Sequence, residues 1–65
     1  MMRIAELRKA RGMSRIEVGS ALGVTYDAVA AWELGRNMPT PDKLPALARL
    51  FHVTIEELYT EEVRS

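Results

Sequence analysis

Residues able to perform covalent or metal chemistry are few in this chain, and they do not stand at useful spacings. The sequence has one histidine, His52, and no cysteine, so it lacks a set of imidazole and thiolate ligands for a metal ion. Glu57 and Glu61 fall on one helical face, but a carboxylate pair without further ligands is typical of a solvated surface. No nucleophile is paired with a base, and no glycine-rich phosphate loop occurs. We therefore predict no enzyme, no metal site and no cofactor.

Charged side chains are the second group that could support binding. Nine basic residues balance nine acidic residues over the 65 residues, so the net charge is zero. Residues 1–36 hold six basic and four acidic residues, and the remainder has the opposite imbalance. Because phosphate neutralisation usually needs a basic surface, this weak asymmetry permits a nucleic-acid partner without predicting one. The alternative is an ordinary surface of mixed charge.

The elements that would carry these residues are helices. Helix-favouring signals recur from one end of the chain to the other, and no alternating strand pattern occurs. The predicted fold class is all-α, in one domain over residues 1–60 with a tail at 61–65. Ser14 with Glu17, and Thr54 with Glu57, have the spacing of capping boxes. The signals predict five helices, over about residues 3–11, 15–22, 26–34, 41–51 and 55–60.

The fourth predicted helix contains the main conflict among these signals. Thr40 followed by Pro41 predicts a cap with proline at the first helical position. Pro45 would then stand at the fifth position and clash with a carbonyl of the preceding turn, so this helix should begin late or irregularly. His52 is expected to end it in the left-handed conformation.

The segment over residues 15–34 has the apolar spacing of two short helices that meet at a steep angle. Its inward positions are predicted to include Val18, Leu22 and Val29, and Trp32 is expected in the core rather than stacked on a ligand. Gly19 inside a helix costs about 1 kcal/mol relative to alanine, which indicates a close backbone approach. Gly23 allows the turn between the helices.

This segment resembles the helix-turn-helix of the Cro and lambda-repressor-like (XRE) family. The resemblance extends over nearly the whole chain, through IAELRKARGMS at the start, WELGRNMP after the central segment and LARLFHVTIEELY near the end. It implies a five-helix DNA-binding domain whose second motif helix enters the major groove of double-stranded DNA. The implied function is sequence-specific transcriptional regulation, with repression expected.

The resemblance also implies roles for particular residues. A position at the start of the second helix contacts DNA backbone, the third helix presents phosphate and base contacts, and the following loop grips backbone. An ion pair between Arg8 and Glu33 is implied to tie the first helix to the third, and Gly19, Gly23 and Trp32 are structural. The residues implied to contact DNA are Arg15, Thr25, Tyr26, Asp27, Ala28, Ala31, Arg36 and Asn37, with Ala30 continuing the same helix.

The expected recognition face departs from the family's usual polar residues. It has alanine at positions 28, 30 and 31 and a negative charge at Asp27. Alanine can contact a thymine methyl group, Asp27 can accept from a cytosine amino group, and Tyr26 can bind phosphate. The alternative is a protein-interaction module of the same fold, which binds a partner repressor or a toxin with weak or no base reading.

A single module of this size contacts few bases, so we expect a homodimer on a palindromic operator. Apolar residues after the core, Tyr59 and Val63, and the turn before the fifth helix are the expected contact. The N-terminal residues mix charged with apolar side chains and do not form a signal peptide, and no apolar run has membrane-spanning length. We expect a cytoplasmic protein with no membrane partner.

Overall fold

Four α-helices follow one another between residues 2 and 59, and short 3₁₀ turns flank the last of them. The computed structural model describes residues 2–59, and within that range the prediction of an all-α fold is confirmed. The single β pairing found there is an isolated antiparallel bridge between Met2 and Tyr59. The helices are α1 (Ile4–Ala10), α2 (Arg15–Leu22), α3 (Tyr26–Leu34) and α4 (Leu44–Phe51), with 3₁₀ turns at Pro41–Lys43 and Glu56–Leu58.

Helices α2 and α3 begin and end where their capping residues predict. The Ser14 hydroxyl accepts from the Glu17 amide at 3.0 Å, and the Glu17 carboxylate accepts from the Ser14 amide at 2.7 Å. Thr25 caps α3 by accepting from the Ala28 amide at 3.1 Å. Gly23 ends α2 with a φ of 73°, a left-handed conformation in which a side chain is disfavoured. These caps fix the two motif helices and the short turn between them.

The fourth helix begins later than position 41, as Pro45 requires. Pro41 opens a separate 3₁₀ turn, and the α-helical geometry starts at Leu44. Pro45 is then the second helical residue, where its missing amide hydrogen has no helical partner to lose. Thr40 makes no side-chain cap, which corrects that part of the prediction. The helix ends at His52, whose φ of 59° confirms the predicted left-handed residue.

The predicted fifth α-helix is wrong for the residues that the structure describes. The reciprocal hydrogen bonds of the capping box are present, with the Glu57 amide donating to Thr54 at 3.2 Å, but the element at this place is only the 3₁₀ turn Glu56–Leu58, whose N-cap is Ile55. The chain then becomes extended at Tyr59, which pairs with Met2, while the Arg3 amide donates to the Leu58 carbonyl at 2.6 Å. Backbone pairing with the N-terminal segment thus replaces further helical bonds. Thr60, the predicted end of this helix, and Val63 lie outside the described residues.

The core is formed by two or three buried apolar side chains from each α-helix, together with Met2 and Leu58. Each α-helix contributes at least one fully buried aliphatic residue, and the last 3₁₀ turn closes the cluster with Leu58. Trp32 is also buried, with 8% of its surface exposed. No α-helix within residues 2–59 is long and apolar enough to cross a membrane. The largest completely buried side chains in this range are Ile4, Val18, Val29, Leu47 and Leu58.

Candidate nucleic-acid interface

The angle between α2 and α3 is set by a backbone contact at Gly19. A Cβ atom added to Gly19 would stand 2.7 Å from the Val24 carbonyl oxygen, closer than real side chains approach. The Val24 amide also donates to the Gly19 carbonyl at 2.9 Å, which closes the turn after α2. The close approach predicted from a glycine inside a helix is therefore present. It holds the start of α3 directly against the middle of α2.

Helix α3 has a buried face and an outward face. Val29 and Trp32 point into the core. Thr25, Tyr26 and Asp27 at its start are exposed, and the alanines at positions 28, 30 and 31 are partly exposed. Leu34 is 64% exposed and stands seven residues after Asp27, on the same face of the helix. Leu34 is absent from the residues predicted to contact DNA, although this spacing could have identified it.

A buried carboxylate connects the three helices of this region. The Glu33 side chain is 3% exposed, and its two oxygens accept from Arg8 Nε at 2.8 Å and from Arg15 Nε at 2.9 Å. Arg8 also donates to the Met13 carbonyl at 2.9 Å. Burial disfavours the charged form of Glu33, but the hydrogen bonds and charges of the two arginines outweigh it and hold the pKa of the carboxyl below its ordinary value. The carboxylate therefore stays ionised between two cations.

Arg15 also contacts the first residue of α3. Its Nη1 atom donates to the Tyr26 hydroxyl at 3.0 Å, and its guanidinium carbon lies 5.6 Å from the centre of the tyrosine ring. Arg15 is expected from the family resemblance to contact the DNA backbone, whereas its bonds to Glu33 and Tyr26 were not predicted. No local motif could have identified these bonds, because they join residues 18 and 11 positions apart.

The loop after α3 is held by its backbone and leaves its side chains exposed. The Arg36 and Asn37 amides both donate to the Ala31 carbonyl, at 2.9 and 3.4 Å. Both residues are exposed, and within residues 2–59 no hydrogen bond or ion pair engages the Arg36 guanidinium. A fixed backbone with a free cation is suited to contact with an anion. This loop follows directly from the C-terminal end of α3.

Lys43 stabilises the end of α2 through a contact that the sequence did not indicate. Its ammonium group donates to the Leu22 carbonyl at 3.3 Å, at the C-terminal end of α2. A cation at this end of a helix interacts favourably with the helix dipole. Lys43 is thereby drawn toward the protein and away from any partner. The 21 positions between these residues left no local signal for the contact.

Other reactive groups in this part of the chain do not assemble into a site. Among residues 2–59 no group of three or more acidic, histidine or cysteine side chains could hold a metal ion. His52 Nε2 lies 3.4 Å from an Arg11 nitrogen at the surface. What α2, α3 and the following loop form together is an exposed surface with cations at both ends.

Comparisons with known proteins agree with this geometry. A helix-turn-helix family model matches residues 4–58. The chain is 28% identical over 60 residues to the HTH-type transcriptional activator BcrR of Enterococcus faecalis, an alignment that covers 92% of this chain and 29% of that relative. The chain thus spans less than a third of the relative's length, and no solved structure gives a significant match. Because the family match extends from α1 through the last 3₁₀ turn, the chain belongs to the helix-turn-helix family.

Proposed function

We propose that this chain is a sequence-specific regulator of transcription that inserts α3 into the major groove of double-stranded DNA. The observation that carries the proposal is the rigid α2–turn–α3 unit, whose outward face is free of core contacts. Alternation of a buried face with an exposed face leaves Asp27, Ala31 and Leu34 on the outside of α3. An α-helix with small outward side chains fits the width of the major groove.

The residues around this face divide into positioning contacts and base contacts. Arg15, Tyr26 and Arg36 are suited to phosphate, because cations and hydroxyl donors at helix ends contact the backbone without reading sequence. Asp27 and Ala31 are suited to base edges, through a cytosine amino group and a thymine methyl group. Thr25 and Asn37 complete the surface, at the cap of α3 and in the loop after it. Ala28 is partly exposed beside this face.

We further propose that two copies bind one palindromic operator. Helix α3 has nine residues and is ~13 Å long, so it covers about four base pairs. Such a short sequence recurs too often to define a site, whereas two modules about 34–36 Å apart on one duplex face define one. Exposed apolar side chains after α4 support a contact between copies, since Ile55 is 41% and Tyr59 37% exposed.

The proposed effect of binding is repression, because a dimer that covers a promoter excludes the polymerase. The relative named above is an activator. Whether this chain represses or activates transcription would therefore depend on where its operator lies in the promoter. A reporter gene placed behind the selected operator tests this directly. Repression predicts lower reporter output when the protein is supplied, and a rise in output would assign the opposite sign.

The experiment that tests DNA binding is a mobility-shift titration at low salt with random-sequence duplex. Arg15→Ala should weaken binding to every duplex and lower the slope of log affinity against log salt concentration by about one for each contact removed. Lys9→Ala is the matched control, since Lys9 is an exposed cation on α1 and belongs to neither motif helix nor the loop after α3. Equal loss in both variants would mean that the duplex responds only to total charge.

A second candidate function is a protein-interaction module that binds another regulator or a toxin. The observation that favours it is the exposure of large apolar side chains on α2 and in the loop after α3: Ile16 is 67% and Met38 58% exposed. Exposed apolar residues that gather into a patch are typical of protein interfaces. Absence of any binding to random duplex at low salt, with the protein folded, would favour this function over the first.

A further inference from the structure

We infer that Arg15 and Tyr26 form one preorganised phosphate-binding unit, in which the Tyr26 hydroxyl is the hydrogen-bond donor and Glu33 is the positioning residue. The inference rests on the proposed DNA-binding function and adds a specific division of labour to it. In this unit Tyr26 binds the DNA backbone and does not read a base. Glu33, although it cannot reach DNA, determines where the two donors stand.

The direction of the Tyr26 hydroxyl follows from the chemistry of its neighbour. A guanidinium group has five N–H donors and no acceptor, so the bond of 3.0 Å between Arg15 Nη1 and the tyrosine oxygen can run in one direction only. The tyrosine oxygen accepts, and its own proton is directed away from Arg15. Tyr26 is 48% exposed, so that proton is available to an external acceptor.

Arg15 supplies a second donor next to the first. Two of its five N–H groups are used by Glu33 and Tyr26, and within residues 2–59 no further partner engages the remaining ones. The Arg15 side chain is 36% exposed. A phosphate group presents only acceptor oxygens. It can therefore accept from the Tyr26 hydroxyl and from the charged Arg15 guanidinium at the same time. Guanine N7 and O6 also offer two adjacent acceptors in the major groove, so a change of base preference on Tyr26→Phe would separate base reading from phosphate binding.

The charge of the cluster supports an anionic ligand. Arg8 and Arg15 share one carboxylate, so Glu33 neutralises one cation and leaves one positive charge. Arg15 also stands at the first position of α2, where the helix dipole disfavours a cation and favours an anion. A cation retained at an unfavourable position, and held there by a buried partner, indicates a role outside the stability of α2.

Glu33 acts through the geometry of Arg15. Its side chain is 3% exposed, which excludes direct contact with a duplex. Arg15 Nε bonds to Glu33 while Nη1 bonds to Tyr26, and both atoms belong to the same rigid plane. Lysine has one nitrogen on a flexible stem, so it cannot reproduce this bridge. The unit therefore depends on the shape of the guanidinium as well as on its charge.

The test is a double-mutant cycle on duplex affinity, measured by fluorescence anisotropy over a range of salt concentrations. Tyr26→Phe should lower affinity about tenfold, since a hydrogen bond to a charged group is lost. The loss should be equal for random duplex and for a selected operator, with an unchanged salt slope because the hydroxyl is neutral. Ser20→Ala is the matched control, as it removes an exposed hydroxyl from α2 that no proposed contact uses, and it should bind like the parent.

The second arm of the cycle tests the bridge itself. Arg15→Lys should keep the salt slope but lower affinity, and adding Tyr26→Phe to it should cause little further loss. If the two losses of affinity simply add in the double variant, Arg15 and Tyr26 do not act as one unit and the inference is wrong. It is also wrong if Tyr26→Phe binds like the parent or changes base preference. If the folded parent itself fails to bind any duplex, the proposed DNA-binding function is refuted and this inference with it. Thermal unfolding of each variant verifies that affinity, and not folding, has changed.

Discussion

Replacing Glu33 by alanine should remove a large part of the stability of this domain. The carboxylate is 3% exposed and bonds at 2.8 and 2.9 Å to two arginines, one of which, Arg8, has a side chain only 10% exposed. Breaking a buried ion pair by removing one partner costs about 3–5 kcal/mol, because the other charge is left without compensation. Domains of this kind have about 5–15 kcal/mol in total, and short ones lie near the lower limit.

The corresponding shift in melting temperature is large enough to measure without extrapolation. In a domain of this length each 1 kcal/mol lowers the melting temperature by about 4–8 °C, so Glu33→Ala should lower it by at least about 12 °C. Glu6→Ala is the control, since Glu6 pairs with Arg3 at 3.2 Å on the surface, and it should melt close to the parent. If Glu33→Ala also melts within a few degrees of the parent, the buried network does not stabilise the fold and the reasoning is wrong.

The same network predicts a pH dependence with a defined sign. The pKa of Glu33 is lower in the folded chain than its ordinary value of 4.5. Its ionisation therefore stabilises the fold above that ordinary value, and the contribution is lost as pH falls through the lower folded pKa. Glu33→Gln lacks this contribution at every pH. The difference in melting temperature between the parent and Glu33→Gln should shrink as the pH is lowered below about 4.5, and a constant difference would contradict this assignment.

Three further predictions concern single positions. Gly19→Ala should destabilise the fold because its Cβ would meet the Val24 carbonyl at 2.7 Å, although alanine favours helices by about 1 kcal/mol relative to glycine. Chemical denaturation checks this, with Ser20→Ala as the control on the same helix. A Gly19→Ala variant more stable than the parent would refute it. His52→Gly should raise stability by about 1 kcal/mol by relieving a left-handed residue. His52→Ala, which loses the same Arg11 contact, should not. Asp27→Asn should strengthen binding to random duplex by removing repulsion and weaken the start of α3, and equal affinity and melting temperature in parent and variant would contradict both effects.

Local chemistry made most of the helix boundaries predictable. The Ser14–Glu17 box and the Thr25 cap each depend on residues three positions apart, so their hydrogen bonds can be read along the chain. The late start of α4 followed from the geometry of Pro45 alone. The fifth helix failed for the opposite reason. Its capping box formed, but Tyr59 paired with Met2, 57 positions away, and that contact has no local signal.

The candidate site was predictable in its elements and less so in its contacts. The family resemblance indicated which helix presents its outer face, and the side chains expected there lie along that face or beside it. The bond from Arg15 to Tyr26 and the placement of Lys43 against Leu22 depend on how the helices pack. Such contacts follow from three-dimensional packing and cannot be derived from spacing in one sequence.

Selection of bound sequences from a random duplex pool, with the parent and with Ala31→Gln, tests whether α3 lies in the major groove. The glutamine amide can form a bidentate contact with adenine, and it would replace a small side chain on the outward part of α3. If α3 lies in the major groove, the parent should enrich a palindromic site, and the variant should change one position in each half-site toward adenine with the same salt dependence. Identical sequences enriched by both proteins, or none enriched by either, would contradict the placement of α3 against DNA bases.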